Sequence, residues 1–133
     1  MIEISGLAKT TLSKKGILKF INSTTRRLKI KKIELSLAFV DKKSIKKLNN
    51  TYRGLAKATD VLSFCYFWHR GSLNGEIIIC YNIAQKQAHD SHHSIEREIK
   101  KLLVHGILHL IGHDHTKPRE AEAMEKLEEK LLK

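Results

Sequence analysis

Only two cysteines, Cys65 and Cys80, occur in the 133 residues. That is too few for a disulfide framework, and nothing pairs them as metal ligands. Buried, reduced thiols in a reducing cytosol are the expected state. Long apolar runs are missing as well. No stretch approaches the ~18 residues that a membrane span needs. Met1 to Ser5 is a short apolar alternation rather than the basic start and long apolar segment of a signal peptide. A cytoplasmic protein with no membrane attachment is therefore expected. There is one proline, Pro118, and no repeat, linker or low-complexity tract, so residues 1–133 read as one domain of ordinary size, able to bury a core without staples. Acidic residues are scarce, 14 against 25 Lys and Arg, and the formal net charge is +11. Such an excess points to a polyanion, nucleic acid or an acidic membrane; a solvated Lys-rich face is the plain alternative.

What is there reads as a mixture of strands and helices. Met1 to Ser5 alternates as a short strand does, and Ser13 is placed to cap a helix with Ile17, Leu18 and Ile21 on its apolar side, fading in the polar Asn22 to Thr25. Arg26, Arg27, Lys29, Lys31 and Lys32 form the densest basic cluster, suited to phosphates or equally to a solvated helix end. Ile33 to Val40 alternates as a half-buried strand. Asp41 caps a helix to about Asn50 that buries Ile45 and Leu48. Asn50 to Thr59, with Gly54, reads as a loop. Val61 to Phe67 and Glu76 to Tyr81 are β-rich, and His69 to Gly75 between them is turn-forming, so the two runs pair as a hairpin or lie as neighbours. Helices are expected from about Ile83 to His89, from about Ser94 to Ile111, and from Pro118 onward with Met124, Leu127 and Leu131 buried. The fold class is α+β, with three or four strands and four or five helices.

The chemistry concentrates in His105-Gly106-Ile107-Leu108-His109-Leu110-Ile111-Gly112-His113-Asp114-His115. His105 and His109 stand at i and i+4 on one helix face. Gly112 offers the left-handed conformation that ends a helix and lets the chain double back, so that His115 can return to the first two. Three neutral imidazoles with an open fourth position are what zinc takes in a catalytic site. His113 is the weaker candidate for third ligand. On a continued helix it would stand roughly 12 Å from His105 along the axis at 1.5 Å per residue. Two nitrogens each about 2.1 Å from one ion are at most about 4 Å apart. The spacing is also that of the metzincin pattern, except that Gly106 occupies the position of the glutamate that serves metalloproteases as general base. Its absence counts against peptide hydrolysis.

Arg53 falls on the polar turn between a helix and a buried strand, and its planar fork of donors suits a phosphate. Asp114 either orients His115 or caps the turn. Glu76 reads as a strand-end carboxylate rather than a base, Trp68 as packing against the sheet rather than stacking on a base, and His89, His92 and His93 as surface residues rather than a second metal site.

The histidine string resembles the signature of the YbeY family, bacterial metal-dependent endoribonucleases that mature ribosomal RNA. Two further blocks, Asn49-Asn-Thr-Tyr-Arg53 with Thr59-Asp-Val-Leu-Ser-Phe64 and Gly75-Glu-Ile-Ile-Ile79, are similar to the family's in the same order, from about Leu48 to His115. The resemblance implies a zincin-like fold, one zinc ion on His105, His109 and His115, a catalytic or substrate-binding role for Arg53, and ribosomal RNA with the ribosome or its associated proteins as partners. Departures from the family pattern are Ala58 for a proline, Cys65 for the proline after Ser-Phe, and His113 for an aromatic; they touch the pocket wall rather than the ligands.

Zinc on three neutral imidazoles makes its water ionise near pH 7, which renders the missing glutamate tolerable for phosphodiester cleavage. The attacking oxygen is then that of water or the RNA 2′-hydroxyl. The expected function is a single-strand-preferring endoribonuclease in small-subunit ribosomal RNA 3′-end maturation and ribosome quality control. Two alternatives stand beside it: a ribosome-assembly factor whose metal is structural, and a metallohydrolase acting on another substrate, peptides included.

Overall fold

The computed structural model describes residues 1–114 and 116–133. The chain runs β1 (Ile2–Ser5), a short 3-10 turn, α1 (Lys14–Arg27), β2 (Lys32–Val40), α2 (Lys42–Arg53), β3 (Val61–His69), β4 (Ser72–Cys80), α3 (Tyr81–Asp90), α4 (Ile95–Leu110) and α5 (Pro118–Leu132). The four strands form one mixed sheet in the order β1-β2-β4-β3. The pairs β1–β2 and β2–β4 are parallel and β3 is antiparallel at the edge. This is the expected α+β class.

Strand alternation sends two sets of side chains to two layers. Leu35, Leu37 and Phe39 of β2 and Leu73, Ile77 and Ile79 of β4 pack with Ile17 and Ile21 of α1 and with Ile99, Leu103 and Ile107 of α4. On the opposite face Ile78 and Cys80 of β4 and Leu62 of β3 meet Ile45 of α2. Helix α5 adds a third apolar cluster, Met124 and Leu131 against Val104 and Leu108 of α4. Helix α4 is thus buried on two sides, against the sheet and against α5, and its polar residues are left a narrow exit.

Two glycines let α4 come close to the sheet. A Cβ on Gly106 would lie 3.0 Å from Ile77 Cδ1, and one on Gly75 would lie 3.0 Å from both methyls of Leu110. Gly106 and Leu110 are one turn apart on α4, and Gly75 and Ile77 are successive positions on one face of β4. The helix is therefore keyed to the strand at two points, just beside His105 and His109. The helix starts on Ser94, whose side chain accepts a hydrogen bond from Arg97 N at 3.1 Å. Ser94→Ala is expected to cost about 1 kcal/mol, and a thermal melt should show it as a drop of a few degrees in Tm.

Several boundaries differ from the sequence reading. Helix α1 continues through Asn22–Thr25 to Arg27 because Thr24 and Thr25 turn inward and Thr25 Oγ1 donates to Asn22 O at 3.1 Å. Helix α2 reaches Arg53 rather than stopping near Asn50. Buried Asn49 donates through Nδ2 to Lys57 O at 3.0 Å, and Gly54 at φ 69 makes the stop. Strands β3 and β4 are a hairpin, with only Arg70 and Gly71 in the turn, both at positive φ as a tight two-residue connection demands. Ser72 to Gly75 belong to β4. Cys80 is buried as expected, but Cys65 is exposed, at the point where the β3 register shifts.

Candidate metal centre

Helix α4 brings His105 and His109 together. Their Nε2 atoms are 3.1 Å apart and their ring centroids 4.6 Å, with the rings inclined at 69°. Both are half-buried, in a helix whose other side chains at this level, Val104, Ile107 and Leu108, are buried. Tetrahedral coordination with bonds of ~2.1 Å would set two ligand nitrogens about 3.4 Å apart, so a divalent ion needs only a small opening of this pair. The donor set fits such an ion.

The tautomer of His105 follows from its other nitrogen. Nδ1 is 3.0 Å from Glu128 Oε1 of α5. An ionised carboxylate only accepts, so Nδ1 carries the proton and Nε2 presents a lone pair toward His109. No group of three or more His, Cys, Asp or Glu residues arranged to hold a metal occurs among the described residues. His115, the third expected ligand, lies outside them.

The helix ends as expected. Gly112 has φ 96, its N–H donates to His109 O at 3.1 Å, and His113 N donates to Leu108 O at 2.9 Å. Those two bonds define a Schellman stop, which satisfies the last carbonyls and reverses the chain. His113 enters it through its backbone, past the end of the helix. Asp114 accepts from both N and Oγ1 of Thr116, at 3.2 and 3.1 Å, so it does cap the turn.

A polar cavity of about 280 Å³ opens beside His105 and Glu128 and is lined also by Asp60, Gln87, Glu98 and Lys101. Within its walls Gln87 Nε2 donates to Asp60 Oδ2 at 3.3 Å. Glu98, 2% exposed, is held 2.6 Å from His93 Nε2, an inward partnership that the polar stretch around His93 did not announce. His89 and His92 are exposed. A larger apolar groove of about 450 Å³ between α1 and α4, lined by Ile17, Phe20, Ile99 and Leu103, has no histidine among its described lining residues.

Arg53 is the last residue of α2, exposed and without an ion pair among the described residues. Its neighbour Tyr52 packs edge-on against Phe64 of β3, centroids 5.4 Å apart, which ties this end of α2 to the edge strand on which α4 also packs. Among the described contacts none joins Arg53 to the two imidazoles. Glu76 sits within β4, not at its end. It accepts from the Tyr66 hydroxyl at 3.1 Å, a bond that holds the phenol above its ordinary pKa of 10.0. By strand alternation Glu76 faces away from Gly75, Ile77 and α4. Trp68 packs on the core, as expected.

The fold and the paired imidazoles define an α+β protein with a histidine-bearing helix near its C-terminus. A family model described as Endoribonuclease YbeY matches residues 5–133, and the chain belongs to that family. It is 42% identical over 115 residues to the endoribonuclease YbeY of Myxococcus xanthus, covering 80% of this chain and 38% of that one. To the Aquifex aeolicus protein of the same name it is 40% identical over 118 residues, covering 87% and 79%. A Staphylococcus aureus protein of that name is 45% identical over 92 residues, 62% of this chain and 59% of the relative. The aligned part thus spans well under half of the Myxococcus relative. The structure resembles the solution structure of a Thermotoga maritima protein with a TM-score of 0.73 and 28% identity, covering 99% of this chain and 87% of that one. No helix among the described residues is long and apolar enough to cross a membrane.

Proposed function

We propose that this chain is a zinc-dependent, single-strand-preferring endoribonuclease of the cytoplasm, acting on ribosomal RNA in small-subunit 3′-end maturation and in quality control of the ribosome. The observation that carries the reading is the Nε2–Nε2 approach of His105 and His109 at 3.1 Å in a chain of this family. His105, His109 and His115 are the proposed ligands of one ion. Held by them, zinc would supply Lewis acidity, enough for a water to ionise near pH 7 and for a phosphoryl oxygen to be polarised.

The remaining work falls to the chain's own side chains. Arg53 is proposed to bind the scissile phosphate through its fork of N–H donors and to offset the charge that builds on it. Steering the RNA is a matter of charge distribution. Residues 1–60 hold 15 Lys and Arg against 4 Asp and Glu, whereas residues 61–133 hold 10 of each, so the whole excess of +11 lies on β1 through α2 and the loop after it. Lys42, Lys43 and Lys46 of α2 and Lys57 of the segment after it border one shallow hollow. Lys42 and Lys43 stand in the first turn of α2, where the dipole makes lysines unfavourable and the capping Asp41 is the one carboxylate beside them. Phosphate contacts on such a face add a steep salt dependence. Of the basic cluster that straddles the end of α1, Arg27 has a different task, donating to Lys130 O and Leu131 O at the end of α5.

The test is cleavage of a ribosomal RNA precursor by purified protein, as isolated, metal-stripped and reloaded with zinc, with His115→Ala alongside. Activity lost on stripping and regained on reloading is expected; activity indifferent to the metal would overturn the reading. End groups then identify the nucleophile, since a 2′,3′-cyclic phosphate comes only from attack by the 2′-hydroxyl.

A further inference from the structure

Helix α5 carries five glutamates, and four of them belong to the solvated side. Glu128 does not. It stands four residues after Met124 and three before Leu131, on the stripe that packs against α4, and its side chain is 20% exposed against 68% for Glu122. A carboxylate on an apolar stripe is costly unless its oxygens are bonded. Here the partner is His105 Nδ1 at 3.0 Å. The stretch of α5 just after it is fixed independently: Arg27 of α1 spans the carbonyls of Lys130 and Leu131 at 2.7 and 3.1 Å. Glu128 is therefore presented to the imidazole by a helix end that is itself clamped.

We infer that Glu128 is a positioning residue for the metal centre: it holds His105 in the tautomer that leaves Nε2 as the ligand atom, and thereby links the docking of α5 to metal affinity. The inference rests on the proposal that His105 and His109 hold a metal. An acceptor on the non-ligating nitrogen of a histidine fixes ring orientation and tautomer before the ion arrives, and losing such a partner costs roughly 10–100-fold in metal affinity. The link is reciprocal, so metal bound at Nε2 should also hold α5 against the body of the protein.

The experiment compares the full-length wild type with Glu128→Ala and Glu128→Gln. Zinc affinity is read by competition with a chromophoric chelator, and the His105 tautomer in the metal-free protein by ¹⁵N chemical shifts of the ring. The expected result is an affinity about 10–100-fold weaker for Glu128→Ala. The Gln variant, whose amide oxygen still accepts from Nδ1, should recover most of it. The Nδ1–H signature should persist in wild type and Gln and be lost in Ala. Amide exchange in α5 should slow on adding zinc to the wild type and not to the Ala variant. Melts of the three metal-free proteins separate this from a general loss of packing, which would lower Tm for Ala and Gln alike without the affinity order. A wild type that binds zinc stoichiometrically, with an Ala variant of equal affinity and unchanged tautomer, overturns the role of Glu128 alone. A wild type that binds no zinc overturns the metal reading and this inference with it.

Discussion

His109→Ala is expected to remove RNA cleavage by the purified protein, a loss well beyond a hundredfold, while leaving the fold nearly intact. Removing a residue that only orients a ligand costs roughly 10–100-fold. Removing one of the nitrogens proposed to hold the ion should exceed that. The fold tolerates the change because His109 is half-buried on the outward side of α4, between buried Leu108 and Leu110, and its imidazole stands beside that of His105 rather than in the apolar core. Circular dichroism should show the helix content kept, and zinc content measured on the purified variant should fall together with activity. The same variant separates the enzyme from an assembly factor. If metal and charge served binding alone, RNA turnover would stay at the contaminant level in wild type and variant alike, and the enzymatic reading would be lost.

The parts of this molecule that could be read from the chain are those fixed by local rules. The i, i+4 histidines, the glycine stop at 112 and the proline opening α5 each depend on neighbours within one or two turns, and each stands where expected. Three features were hidden because distant residues decide them. Helix α2 outruns the weak helix formers Asn49, Asn50 and Thr51 since Asn49 is buried and bonded to Lys57 eight residues on. Gly75 reads as a turn residue, yet it lies in β4, where the lack of a Cβ admits Leu110. Glu128 disappears among the acids of α5 unless one notices that it occupies the Met124–Leu131 stripe, and its partner is 23 residues away in sequence. For Arg53 the chain gave the residue but not its setting: it ends a helix instead of riding on a loop. That helix end nevertheless leans on the edge strand through Tyr52 and Phe64.

Gly106→Glu, the change that would complete the metalloprotease spelling of the helix, is expected to destabilise the protein by more than about 3 kcal/mol and to yield no peptidase. Position 106 points at the sheet, where a Cβ alone already comes within 3.0 Å of Ile77 Cδ1 and Ile77 is fully buried. A carboxylate sent there would be stripped of water without a partner, at a cost of several kcal/mol, or would force α4 off β4 and spoil the placement of both imidazoles. A thermal melt should show a fall in Tm of more than about 10 °C, or no soluble protein at all. Should the Gly106→Glu variant resist purification, a milder pair tests the same contact. Glycine inside a helix is about 1 kcal/mol worse than alanine, so on propensity Gly106→Ala should stabilise. Against Ile77 it should instead destabilise, through the crowded methyl. Ile77→Val deletes the atom nearest to the new Cβ. In the double variant the alanine should therefore cost less than in the wild-type background, with a coupling of at least about 0.5 kcal/mol in urea melts. Additive single effects would mean that α4 is free to lift from the strand. The glycine beside the first histidine would then owe nothing to this packing, and the exclusion of a glutamate base would need another cause.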